Sequence, residues 1–270
     1  NYKMPKTCPS CGREYIKYTG IGTQQVEEQL KLVFPNVRCL RMDMDTTSGK
    51  TAHRDILDAF TRREADVLIG TQMVAKGLDI PNVTLVGVVF ADSTLFHSDF
   101  RSSERTFQLL TQVAGRAGRA DKEGRVVIQT NAPGHRAIRL CTKHDYKTFY
   151  NLEIGDRLRT LFPPFAVFVR AQFACADENA AADAAERFAN GVTKTILTAL
   201  KPANAENELV FALAGAAPIR RREGLFRYAV IIKLVRTANT AAAINAIYAF
   251  SDGCADECYR GIEVNPQDML

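Results

Sequence analysis

Eight consecutive residues, Val83–Phe90, carry a single polar side chain, that of Thr84. A strand with one wet face alternates apolar and polar residues. A run this uniformly apolar is expected of a parallel strand covered on both faces. Parallel strands need crossover connections, and the flanking sequence supplies them. Helical spacing in Gln24–Phe34, with Val26, Leu30, Val33 and Phe34 inward, alternates with a strand at Val37–Met42. A second helix over Thr51–Thr61 and a third strand at Asp66–Ile69 follow. A strand at Glu14–Thr19 precedes this series. A helix at Ser103–Ala114, a strand at Gly124–Gln129 and a helix at His135–His144 complete it. The reading is an α/β fold, a parallel sheet with helices on both sides, over residues 13–145.

After residue 145 the pattern changes. Tyr146–Phe162 reads as a helix stopped by Pro163-Pro164, so 146–164 is a helical linker. Residues 165–270 then give strand Phe165–Cys175, an alanine-rich helix Glu178–Leu200 and strand Leu209–Ala214. A basic link, Ile219–Arg227, leads to strand Tyr228–Val235, a helix near Thr240–Phe250 and strand Gly261–Val264. That βαββαβ order describes a smaller α+β domain with its helices on one face. Bulk properties set bounds. A net charge of +5 suits a nucleic-acid partner without requiring one. No apolar run approaches the roughly 20 residues of a membrane span, so no membrane partner is expected. Seven scattered cysteines fit a reducing, cytoplasmic setting. With Asn1 at its head, the chain reads as a segment of a longer protein.

Ligands of parallel sheets gather at the carboxyl ends of the strands. Two loops there have chemistry. Gly70 and Thr71 end a strand and offer backbone N–H groups and a hydroxyl to a phosphate, and Gly77 and Asp79 add a turn and a carboxylate suited to a ribose hydroxyl. Further on, Gln112 stands near the end of the apolar helix, and Arg116 and Arg119 follow it, with Gly115 and Gly118 among them. Rigid guanidinium forks suit a triphosphate. A capped helix end with dipole-favoured cations is the plain alternative. Ser48-Gly49-Lys50-Thr51 is no P-loop, because Met44 stands where that motif needs glycine, and no acidic magnesium box occurs. The chain alone is therefore expected not to hydrolyse a nucleotide. At the start, Cys8 and Cys11 with Pro9 and Gly12 make a zinc knuckle with two of four ligands, and residues 1–12 read as the remnant of a zinc-binding region.

Gly70-Thr71-Gln72-Met73-Val74-Ala75-Lys76-Gly77 followed by Thr111-Gln112-Val113-Ala114-Gly115-Arg116-Ala117-Gly118-Arg119 resembles motifs V and VI of superfamily 2 helicases. More narrowly it resembles the PriA family of bacterial replication-restart helicases. Gly22–Leu30, Arg41–Thr46, Asp99–Arg105, Leu161–Phe165 and Val264-Asn265-Pro266 carry the resemblance along the chain. It implies a RecA-like second helicase lobe whose partner lobe, holding the P-loop, binds ATP with Mg2+. Arg116 and Arg119 would reach ATP across the lobe interface, Gln112 would sense it, and Gly77 and Asp79 would couple it to DNA. Gly70, Thr71, Gly22 and Thr23 would hold DNA phosphates. Cys8 and Cys11 would match the last of four Cys-x-x-Cys pairs that bind two zinc ions. The implied partners are forked and single-stranded DNA, single-stranded DNA-binding protein and primosome proteins. Arg220, Arg221, Arg222 and Arg227, interleaved with Phe226 and Tyr228, form a candidate DNA platform. A non-motor nucleic-acid scaffold and an RNA helicase lobe stand as alternatives.

Overall fold

The computed structural model describes residues 7–8, 11–13, 22–43, 52–71, 83–115, 124–200 and 208–267. Its contacts form two units: 1–97 with 102–146, and 98–101 with 147–270. The expected strand Glu14–Thr19 lies outside the described residues.

In the first unit, α1 (Thr23–Val33), β1 (Cys39–Met42), α2 (Ala52–Thr61) and β2 (Val67–Gly70) alternate, then β3 (Leu85–Val88), α3 (Asp92–Leu95), α4 (Ser102–Ala114), β4 (Arg125–Ile128) and α5 (Arg136–Cys141). β1 pairs with β2 in parallel, Met42 opposite Gly70, and β3 pairs with β4 in parallel, Val88 opposite Ile128. α4 packs against β3 and α5, burying Thr106, Phe107 and Leu110. The expectation for Val83–Phe90 is met on one face only. Val86, Val88, Val126 and Ile128 are half-buried, while Leu85 is 62% and Val127 59% exposed. Among the described residues β3 has one strand neighbour, β4, and its second face is open. The short helix α3 was not expected from the sequence. Its Asp92 is buried and ties two strand ends together, accepting from Thr130 Oγ1 and Asn131 N, both at 2.9 Å.

The second unit holds α6 (Tyr146–Arg159), β5 (Ala166–Cys175), α7 (Glu178–Ala199), β6 (Leu209–Arg222), β7 (Leu225–Val235), α8 (Thr240–Asp252) and β8 (Tyr259–Val264). The sheet is antiparallel in the order β6-β7-β5-β8. Asp177 caps α7 by accepting the Ala180 N–H at 2.8 Å. Ala181, Ala184, Ala185, Phe188, Val192 and Ile196 recur at helical spacing and bury against Val169, Ala171, Phe173, Val230, Ile232 and Leu234 of the sheet. Small side chains let α7 lie close to α8: a β-carbon at Gly191 would collide with the Phe250 ring.

The basic link at Ile219–Arg227 is a β-hairpin. β6 runs on to Arg222, Arg222 pairs with Leu225, and Glu223 and Gly224 turn the chain at φ 53° and 84°. Positive φ at both central residues matches the right-handed twist of the flanking strands.

One more feature of the sheet follows from its two faces. β5 is buried on both faces from Ala166 to Val169 and alternates after Arg170. At its start the face away from the helices is covered by aromatic rings. Phe100 stacks on Phe162 (centroids 5.0 Å apart, planes 15°) and on Phe168 (6.2 Å). Lys233 lies over Phe162 at 4.7 Å and donates to the Thr160 carbonyl at 2.8 Å. Burial lowers the pKa of Lys233. Arg101 covers the outer ring at 4.2 Å and donates to the Pro266 carbonyl at 3.1 Å.

Candidate nucleic-acid interface

The carboxyl edge of β1–β2 gathers one group of the expected residues. Gly22 is the N-cap of α1, with no side chain to satisfy the first N–H groups, and no acidic residue stands in that first turn. Such a helix end favours an anion. Thr23 Oγ1 donates to Asp43 Oδ2 at 2.6 Å, and Asp43 directly follows β1. Because Gly70 pairs with Met42, Gly70 and Thr71 lie beside Asp43 on that same edge, both exposed. Register thus brings Gly22, Thr23, Gly70 and Thr71 together.

Asp43 does not hold that edge as an isolated charge. Arg41 Nε is 3.5 Å from Asp43 Oδ2 and 3.6 Å from Glu27 Oε2, and Lys31 Nζ is 2.6 Å from Glu27 Oε1. The Glu27 carboxylate raises Lys31 above its ordinary pKa, by hydrogen bond and by charge. The chain of alternating charges offsets the Asp43 carboxylate beside the uncapped N-terminus of α1. At the opposite end of the pair, Asp66 accepts the Arg38 N–H at 3.0 Å and pairs with its guanidinium at 2.7 Å. That hydrogen bonding lowers the Asp66 carboxyl to about 2.

Gln112 is exposed in the last turn of α4, one turn beyond exposed Gln108 and opposite buried Phe107 and Leu110. Gly115 closes the helix by donating to the Thr111 carbonyl at 3.1 Å. Arg116, Arg119, Gly77 and Asp79 lie outside the described residues.

Cys8 and Cys11 occupy a tight turn. Gly12 N donates to the Cys8 carbonyl at 2.8 Å, and Gly12 adopts φ +69°, which glycine takes at no steric cost. No group of three or more metal-binding side chains occurs among the described residues.

The four arginines of the α+β domain separate. Arg220 is hydrogen-bonded to Glu178, which also accepts from Tyr228 Oη at 3.3 Å, and the carboxylate raises the Arg220 pKa. Arg221 covers the Phe226 ring at 4.9 Å, and Arg222 Nε donates to Glu223 at 3.2 Å. Arg227 alone of the four lines a groove of about 470 Å³ on the sheet face away from the helices. Phe168, Phe211, Arg170 and Arg260 line it too. Arg170 is paired with Glu263 at 2.8 Å, and Arg260 donates to the Ala174 carbonyl at 2.7 Å.

Comparisons with known proteins bear on the family of the chain. Residues 15–121 match the helicase conserved C-terminal domain. The replication restart protein PriA of Bacillus subtilis (strain 168) is 45% identical over 244 residues, 90% of this chain and 29% of that protein. The chain belongs to the PriA family. PriA of Synechocystis sp. is 50% identical over 166 residues (62% of this chain, 20% of that protein), and PriA of Treponema pallidum 39% over 204 (75% and 30%). The chain therefore spans less than a third of the length of these PriA relatives. Its helicase match holds Gly22, Thr23, Gly70, Thr71 and Gln112, and the longer PriA alignment runs on into the α+β domain.

The sequence reading missed Phe100, Phe162 and Lys233 as a structural cluster and Arg170 and Arg260 as neighbours of Arg227. The signal was present for the first two, since both stand in segments that carry the PriA resemblance. For the arginines the strand alternation of Arg170, Gln172 and Ala174 was the available clue.

Proposed function

We propose that the chain is the C-terminal part of an ATP-dependent 3′→5′ DNA helicase that restarts stalled replication forks and loads the primosome. On this reading residues 13–145 form a RecA-like second lobe, and the α+β domain from 165 onward assists DNA binding. The first lobe, with the P-loop and Mg2+, comes from a segment not contained in these 270 residues, so the chain alone hydrolyses no ATP. Gln112, Arg116 and Arg119 then approach the nucleotide, Gly77 and Asp79 couple it to DNA, and Gly70, Thr71, Gly22 and Thr23 hold DNA phosphates. Cys8 and Cys11 give two thiolates to a zinc ion whose other ligands lie outside the chain. Forked and single-stranded DNA, single-stranded DNA-binding protein and primosome proteins are the partners, in the cytoplasm.

The observation that carries the reading is the shared edge of β1–β2, where an uncapped helix N-terminus and two exposed strand-end residues lie together within a helicase-matched segment. Phosphate contacts of this kind position a backbone without reading sequence. The test is Arg119→Ala in the full-length protein. DNA-stimulated ATP hydrolysis should fall by about 10³-fold or more, the scale of a catalytic arginine, with DNA binding largely kept. Normal turnover by that variant removes Arg119 from the catalytic role, and a full-length protein with no DNA-stimulated ATP hydrolysis at all is a binding scaffold. A clear preference for RNA over DNA forks in competition redirects it to RNA.

A further inference from the structure

Two cysteines lie together at one end of the α+β sheet, on its core-facing side. Cys175 closes β5 immediately before Asp177 caps α7, and Cys258 immediately precedes β8. The Ala174 N–H donates to the Cys258 carbonyl at 2.7 Å, which holds the two segments side by side. Both cysteines pack against the same apolar core, and each shifts the other's pKa.

Their surroundings differ in a way that assigns roles. Cys175 is partly exposed. Its sulfur is stabilised as a thiolate by the Cys258 thiol first, then by the Asp177 and Ala176 N–H groups at the start of a 22-residue helix. Cys258 is 6% exposed. Burial first, and the neighbouring sulfur second, push it up to about 12, so it keeps its proton. The accessible sulfur thus attacks first and the protonated one waits beside it. Cys141 gives the contrast: it is buried, its Sγ donates to the Ile138 carbonyl at 3.0 Å, and burial raises its pKa.

We propose that Cys175 and Cys258 form an oxidant-sensitive dithiol that closes to a disulfide between the end of β5 and the start of β8. The oxidant is a hydroperoxide. Cys175 thiolate attacks the distal oxygen, the O–O bond breaks, and the Cys258 proton accompanies the leaving oxygen as water or alcohol. Cys258 thiolate then attacks the sulfenic sulfur, and its hydroxyl leaves as water after taking up a proton. Two thiols and one hydrogen peroxide give one disulfide and two waters.

The test is hydrogen peroxide titration of the reduced 270-residue chain, followed by tryptic mapping. A cross-link between peptides 171–187 and 237–260, two hydrogens lighter than their sum and reversed by dithiothreitol, is expected in the wild type and in Cys254→Ser. Cys258→Ser should lose it and instead leave a Cys175 sulfenic acid that dimedone captures. Before oxidation, Cys175 should react with iodoacetamide about tenfold faster or more than Cys141. Wild-type mapping does not depend on any variant folding. A cross-link that survives Cys258→Ser through Cys254, no cross-link to Cys175 in the wild type, or equal alkylation of Cys175 and Cys141 each overturns the proposal.

Discussion

Phe100 stacks on Phe162 with ring centres 5.0 Å apart, although Phe100 belongs to a four-residue stretch, 98–101, flanked on both sides by the other unit. Arg101 and Arg157 lie over the Phe100 ring and Lys233 over Phe162, so cations and rings pile together on the sheet. A Phe100→Ala change removes the middle of that pile and leaves Phe162 and Phe168 facing a void. It should cost about 2–4 kcal/mol in urea unfolding of the chain. Phe96→Ala, on a 65% exposed side chain, should stay within about 0.5 kcal/mol. Equal effects would mean the stack contributes nothing beyond an exposed ring.

The hairpin turn makes a second prediction. Glu223 holds φ 53° without the tolerance of glycine or asparagine, while Gly224 holds φ 84° freely. Glu223→Asn should stabilise the domain by about 0.5–1 kcal/mol, and Gly224→Ala should destabilise it by about 1 kcal/mol or more. Thermal melts of both variants decide the matter; a stabilised Gly224→Ala is incompatible with this turn.

Acid stability should depend on Asp66. Its hydrogen bonds to Arg38 hold the folded carboxyl at about 2, against 3.8 for the free group. A depressed pKa means the contribution is complete above pH 3.8 and is lost as pH falls towards 2. The pair is solvent-exposed, so the effect should be modest and should shrink in high salt. Asp66→Asn should flatten the stability profile within that window and leave its shape above pH 5 unchanged, as followed by urea midpoints. A profile identical to wild type at low salt contradicts the pairing.

The alternation of apolar runs made most of this architecture readable in advance, because helical and strand periods survive wherever one face meets a core. The βαββαβ order after residue 165 and the placing of Gly70 at a strand end both follow from such periods. The turn position of the basic hairpin did not, since three consecutive arginines and an Arg222-Glu223-Gly224 turn lack both alternation and the Asn-Gly signal. Nor did the Phe100–Phe162 stack, whose partners are far apart in sequence and obey no period. The same limit hid the separation of the four arginines. Sequence clusters Arg220, Arg221, Arg222 and Arg227, but the groove ends at Pro218 on β6, so of the four only Arg227 lines it.

That separation gives the last prediction. Arg220 is held by Glu178, Arg221 covers Phe226, and Arg222 is hydrogen-bonded to Glu223. Each would have to give up an existing partner before meeting a phosphate. Arg227 lines a groove with Phe168, Phe211 and Tyr228, where a strand of DNA could find charge and ring together. In fluorescence anisotropy of the 270-residue chain with single-stranded DNA, Arg227→Ala should weaken binding about three- to tenfold at low salt. It should also reduce the magnitude of the log–log salt slope by about 1, as the loss of one phosphate contact predicts. Arg220→Ala should change affinity by less than about twofold, because its charge is already compensated by a carboxylate. If Arg220→Ala proves the more damaging change, or if Arg227→Ala leaves the salt slope untouched, DNA follows the hairpin tip rather than the groove.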